Sequence, residues 1–156
     1  MMARTHLAFG ALAAAVLAPF LSYGNAWRFV VLVLIGSLLP DIDHPQSKYG
    51  RLIKPVSYPL SFFFGHRGFW HSLYVPAVFL FVGYSYIELW PVFVGLSVGY
   101  IAHLLSDSLT VHGIKFLHPL EFPRVAGFIH TGTMMEELLR YGVLFFVAGY
   151  LLVTYF

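Results

Sequence analysis

The 156-residue chain contains no cysteine, which excludes disulfides and thiolate ligands; any metal it binds must be held by nitrogen and oxygen. Charge is scarce as well: Asp, Glu, Lys and Arg make up 10% of the residues, against about 25% in soluble domains. The formal net charge of +2 is too small for a nucleic-acid footprint, so DNA or RNA is not an expected partner. The His-Glu-x-x-His signature is missing and no serine is expected in a nucleophile turn, so intramembrane proteolysis and serine-esterase chemistry are not expected. There is no internal repeat or low-complexity tract, and residues 1–156 read as a single integral membrane domain.

What is abundant is apolar surface: 59% of the residues are hydrophobic and the mean hydropathy is +0.77. Five apolar stretches stand out, Leu7–Ser22, Trp27–Leu39, Trp70–Leu89, Pro91–Leu109 and Tyr141–Phe156. A transmembrane helix needs roughly 20 residues, so the first, second and fifth fall short unless their flanks extend them. Pro40 and the acidic run behind it stop the second early. The start, residues 1–6 followed by an alanine-rich run, has the outline of a signal peptide. No small-residue cleavage site precedes a soluble domain, however, and an uncleaved first helix is expected. The expected fold is an all-α, polytopic transmembrane bundle of about five segments, with short interfacial helices in the cytoplasmic loops. One of these falls in residues 55–64, too apolar for water and too short to span. Another is an amphipathic helix around Met134, Met135, Leu138 and Leu139, beside Glu136, Glu137 and Arg140.

If the segments alternate across the membrane, eight of the nine basic residues share one face: Arg4, Lys48, Arg51, Lys54, Arg67, Lys115, Arg124 and Arg140, with only Arg28 opposite. The positive-inside rule then puts the N-terminus in the cytoplasm and the C-terminus outside, in a multi-pass membrane protein. Every histidine and aspartate falls on or near that same face, and ionisable groups at membrane depth are by default candidates for function.

Three motifs carry most of them. In Leu-Leu-Pro-Asp-Ile-Asp-His-Pro (38–45) the prolines are expected to hold an extended segment, in which Asp41 and Asp43 point the same way and His44 follows. Such a pair either caps the preceding helix or holds a cation. His103 and Asp107 are spaced i, i+4 on one helix face, with Thr110 a further turn along; they can clamp a metal, or Asp107 can orient the imidazole from behind. In Gly-His-Arg-Gly-Phe-Trp-His-Ser (65–72), His66 from a loop and His71 from a helix start can converge, and Arg67 between them suits a phosphate or serves only to set topology. His6 stands alone in the sequence and joins the set through its face. His112, His118 and His130 have no partner spacing and read as loop residues.

On these motifs the chain resembles the YdjM-type membrane-bound metal-dependent hydrolases, inner-membrane proteins linked to LexA. The matching residues are Thr5-His6, Leu-Pro-Asp-Ile-Asp-His-Pro (39–45), Gly50-Arg51, Gly-His-Arg-Gly (65–68) with His71-Ser72, Gly-Tyr-Ile-Ala-His (99–103) with Asp107, and Leu109-Thr110 with Gly113. They cover roughly residues 1–123; His118 before Pro119 departs from the pattern, where an aromatic is expected. The resemblance implies a metal-dependent hydrolase, with a more distant likeness to zinc-dependent phospholipase C through His-x-x-x-Asp.

The expected site therefore comprises His6, Asp41, Asp43, His44, His66, His71, His103 and Asp107 around one or two divalent ions, zinc first and manganese or iron as alternatives. Lys48, Arg51 and Arg67 are candidates for phosphate binding, and Arg67, Asp107 and Thr110 for catalysis by a metal-activated water. The expected substrate is a phospholipid-like phosphoester at the cytoplasmic membrane face. Membrane lipids are the expected surroundings, and a homo-oligomer is compatible with the sequence. The rival readings are a proton or metal-ion transporter, and a non-catalytic membrane regulator with a structural metal.

Overall fold

Inside a bilayer the backbone must satisfy its own hydrogen bonds, and this chain does so with helices. In the computed structural model they are α1 (Ala3–Leu21), α2 (Ala26–Gly36), α3 (Lys54–Phe64), α4 (Tyr74–Ser85), α5 (Trp90–Ser108) and α6 (Met134–Tyr155), with 3-10 turns at Pro40–Asp43, Phe69–His71 and Ile87–Leu89. The structure describes all residues except 44, 46, 48, 49, 65–67 and 156, and all side chains but those and 60, 63, 64 and 155. Among the described residues there is no strand, only two isolated bridges.

Three stretches are long and apolar enough to cross a membrane: Ala3–Leu21, Ile87–Ser108 and Met134–Thr154. The flanks do extend the first and last segments, so that His6 lies inside α1 and the amphipathic stretch around Met134 forms the opening turns of α6 rather than a separate helix. The expectation of one long helix over Trp70–Leu89 is corrected. Ser72 is extended (φ −121°, ψ 166°), the helix begins only at Tyr74, and Tyr86 leaves helical geometry (φ −125°, ψ 79°). Trp27–Leu39 likewise shortens, with α2 closing at Gly36. At 11 and 12 residues, α2 and α4 are each under roughly 20 Å long, less than the ~30 Å hydrocarbon core.

Helix α5 is the centre, packed against α1, α2 and α4, while α6 leans on α1. Small residues set the spacing. A Cβ at Gly99 would fall on the Val33 carbonyl, and one at Gly36 on the Leu96 carbonyl, so α2 and α5 touch backbone to backbone. One apolar cluster, Ala14, Ala18, Phe29, Val33 and Val94, fills one end of the bundle; a second, Val75, Tyr100, Leu104 and Ile114, fills the other.

The long connection after α5 folds back over that second end. Ile114 and Val125 exchange backbone hydrogen bonds, Val111 N–H donates to Ile129, and Leu73 N–H donates to Phe116. Where a short interfacial helix is expected, Lys54–Phe64 forms α3, which exposes Val56, Tyr58 and Phe62, buries Ser57 and packs against the Pro40–Asp43 turn.

Candidate metal centre

The residues that meet at the covered end come from four segments. His6 enters from the first turns of α1, Asp41 and Asp43 from the turn after α2, His71 from the turn before α4, and His103 with Asp107 from the last turns of α5. His6, Asp43, His71, His103 and Asp107 are all buried, and Asp41 keeps a fifth of its side chain exposed (19%).

Hydrogen bonding fixes which imidazole nitrogens are available. His103 Nδ1 lies 2.8 Å from the Ser37 carbonyl, which can only accept, so Nδ1 carries the hydrogen. The close packing at Gly99, one turn earlier on α5, is what lets that carbonyl reach it. Ser106 Oγ donates to the His103 carbonyl at 2.8 Å, so its lone pair accepts from His6 Nδ1 at 2.7 Å. In each neutral ring the lone pair is then on Nε2, and both Nε2 atoms are buried without a hydrogen-bond partner among the described residues. His71 Nδ1 donates to Asp43 Oδ2 at 3.1 Å, leaving Nε2 as its ligand atom in the carboxylate–histidine arrangement common behind metals.

Carboxylates face these nitrogens at distances too long for hydrogen bonds and suited to a shared cation. His6 Nε2 lies 3.6 Å from Asp107 Oδ1, and His103 Nε2 lies 3.8 Å from Asp107 Oδ2 and 4.0 Å from Asp41 Oδ1. Two overlapping sets of ligand atoms, His6–Asp41–His103 and His71–His103–Asp107, each lie within 4.8 Å of one another. These residues fit a divalent ion: buried imidazole lone pairs without donors beside carboxylates are the chemistry of a nitrogen and oxygen site. His103 belongs to both sets but has one Nε2 lone pair, which favours a single ion over two. The Met1 ammonium also donates to Asp107 Oδ1, at 2.5 Å. Burial pushes the Asp41 carboxyl up to about 6, and the nearby Asp107 carboxylate adds to the rise.

The geometry departs from the sequence expectation in one respect. Pro40–Asp43 is a 3-10 turn, not an extended segment, because Pro40 starts the turn, where its missing N–H costs nothing. At three residues per turn Asp41 and Asp43 diverge, Asp41 toward His103 and Asp43 to the back of His71. Thr110 is buried, but its hydroxyl donates to the Asp107 carbonyl and accepts from Gly113 N–H, closing the end of α5. Arg51 is exposed, in the segment that Ser47 fastens to the Asp41 carbonyl. His112 and His130 are exposed on the covering segment, and His118 is half-buried there. His44, Lys48, His66 and Arg67 lie outside the described residues.

Several residues outside the expected ligand set hold the centre together. Tyr100 OH donates to the Trp70 carbonyl, and Trp70 Nε1 donates to the Leu39 carbonyl at 3.3 Å, tying α5 to the turns that carry His71 and the aspartates. Buried Glu136 on α6 accepts from Met2 N–H (2.6 Å), Thr5 Oγ1 (2.8 Å) and Gly132 N–H (2.7 Å), fixing the start of α1 and hence His6. Ser97 stands in Gly-Leu-Ser-Val-Gly (95–99), the letters of a nucleophile turn, but it is inside α5 and donates to the Pro76 carbonyl at 3.2 Å.

A family model described as YdjM inner membrane protein matches residues 1–156. The chain belongs to the YdjM family. The match runs through α6, beyond the motifs, which end near residue 123, and so places this chain among inner-membrane proteins over its whole length. It is 39% identical over 131 residues to the inner membrane protein YdjM of Escherichia coli (strain K12) and to that of Shigella flexneri, over 76% of this chain and 66% of theirs. It therefore spans just under two thirds of the length of those YdjM relatives. A Bacillus subtilis (strain 168) protein, the uncharacterized protein YvsG, is 39% identical over 110 residues, 70% of this chain and 69% of its own. No solved structure matches the chain.

Proposed function

We propose that this inner-membrane protein is a metal-dependent hydrolase of a phosphoester at the cytoplasmic membrane face, zinc being the first candidate ion. The observation that carries the reading is the pair of buried Nε2 atoms of His6 and His103, without hydrogen-bond partners among the described residues and facing Asp107. His6, His71, His103 and Asp107 would hold the ion, with Asp41 beside them. The chemistry such an ion supplies is a more acidic bound water and neutralisation of phosphoryl oxygens.

The chain's own residues divide the remaining work. Ser37, Ser106 and Asp43 fix the tautomers of the three histidines from behind. Asp41, the most exposed carboxylate of the set, is positioned to exchange a proton with an incoming group. The segment after α5 folds back over the same end of the bundle. The excess of Lys and Arg on the site's face supports a cytoplasmic orientation.

The test is elemental analysis of purified protein and of His103→Ala, followed by a turnover screen of phospholipids and soluble phosphodiesters with added divalent ions. A bound metal lost in the variant, together with phosphoester turnover, is the expected result. Equal metal content in both removes the ligand assignment, and ion flux into liposomes without turnover favours transport.

A further inference from the structure

Beside the metal centre lies a cavity of about 290 Å³, lined among the described residues by the aliphatic side chains of Ile35, Leu38, Leu39, Ile42, Leu52 and Ile53. Its position ties it to the site. Ile42 stands between Asp41 and Asp43 in one 3-10 turn, so the turn that aims an aspartate at His103 also lines the cavity. Ser47 Oγ donates to the Asp41 carbonyl at 2.7 Å and accepts from Gly50 N–H at 2.8 Å, which fastens the segment carrying Leu52 and Ile53 to that same turn. Arg51 and Lys54 flank Leu52 and Ile53 and are exposed. The aliphatic groove thus adjoins the turn that carries Asp41 and Asp43, and the segment that brings Leu52 and Ile53 to it also carries two exposed cations.

We infer that this groove seats one acyl chain of an anionic glycerophospholipid, with its phosphate held between Arg51, Lys54 and the metal centre. This rests on the hydrolase reading and names the substrate class for it. A chain that moves into the groove from the bilayer leaves surroundings as apolar as those it enters, so the groove adds little hydrophobic driving force. Its task is registry: it sets how far the headgroup reaches, while the cations select the charge. Preference for an anionic over a neutral headgroup is therefore expected.

The experiment uses the protein in nanodiscs containing phosphatidylglycerol with a diazirine in one acyl chain, photolysed and mapped by mass spectrometry. Labels are expected on residues 38–42 and on Leu52 and Ile53, several-fold above Phe145 and Val153 on the outer face of α6. The enrichment is expected to fall with Leu52→Trp, at a position 78% exposed and so tolerant of the larger ring, and with a neutral diazirine diacylglycerol. Labels spread evenly over the exposed apolar residues, or equal enrichment by the neutral lipid, overturn the proposal. Turnover measured on the same preparation separates the two readings. Phospholipid hydrolysis without groove labelling overturns the acyl site alone, and groove labelling without hydrolysis of any phosphoester overturns the hydrolase while leaving a lipid-binding groove.

Discussion

The imidazoles of His6 and His103 lie face to face, ring centroids 3.7 Å apart and 13° from parallel, and each leaves its Nε2 buried without a hydrogen-bond partner among the described residues. Two desolvated lone pairs side by side are unfavourable unless an electrophile shares them. Their Nδ1 atoms are held from behind by Ser106 and Ser37, so neither ring can turn away without breaking a buried hydrogen bond.

Loss of either ring is expected to abolish binding of the divalent ion. His6→Ala and His103→Ala should each carry far less metal than the parent protein by elemental analysis. Stripping the parent with a chelator should lower its Tm, since a ligand at a hundred times its Kd stabilises by roughly 2.7 kcal/mol. An unchanged Tm after complete stripping would argue against a buried metal.

Asp43→Asn distinguishes an orienting carboxylate from a ligand. Because Asp43 stands behind His71, the amide should weaken metal affinity by roughly 10–100-fold while leaving the stoichiometry at saturation unchanged. A titration that saturates at a lower stoichiometry would make Asp43 a direct ligand.

Gly99→Ala should separate α2 from α5. The new Cβ meets the Val33 carbonyl, a backbone atom that cannot rotate aside, and overpacking of this kind costs about 1–3 kcal/mol. The expected outcome is a lower Tm in detergent together with weaker metal binding, because the Ser37 carbonyl moves with α2. Full metal affinity at reduced Tm would show that the His103 to Ser37 contact does not govern the site.

Glu136→Ala should loosen α6 and the start of α1 together. It strands the donors of Met2, Thr5 and Gly132, at about 1–3 kcal/mol for each that stays buried. Faster hydrogen exchange confined to residues 1–6 and the first turns of α6 is expected, with Glu136→Gln intermediate. Uniform protection in the alanine variant would remove Glu136 from this role.

Much of the centre was legible in the sequence because its parts are local. His103 and Asp107 share a face through helical spacing alone, and Asp41, Asp43 and His71 sit in short polar runs that interrupt apolar segments. His6 had no such neighbour, and only the packing of α1 on α5 brings it beside His103. The extended reading of 41–43 was wrong because a proline that opens a 3-10 turn and one that opens an extended run look alike when read locally. Glu136 looked like part of an amphipathic face, since nothing in its spacing points to donors at the other end of the chain.

Composition and helical periodicity act over short stretches, and they suffice for an apolar, helical membrane chain with its histidines and aspartates concentrated on one face. Which nitrogens are left without donors, how Asp41 and Asp43 come to serve different sides of the centre, and where the aliphatic groove lies are outcomes of tertiary packing. Those outcomes depend on close approach between distant segments, set by Gly36 and Gly99 and by the carbonyls of Ser37, Leu39 and Trp70.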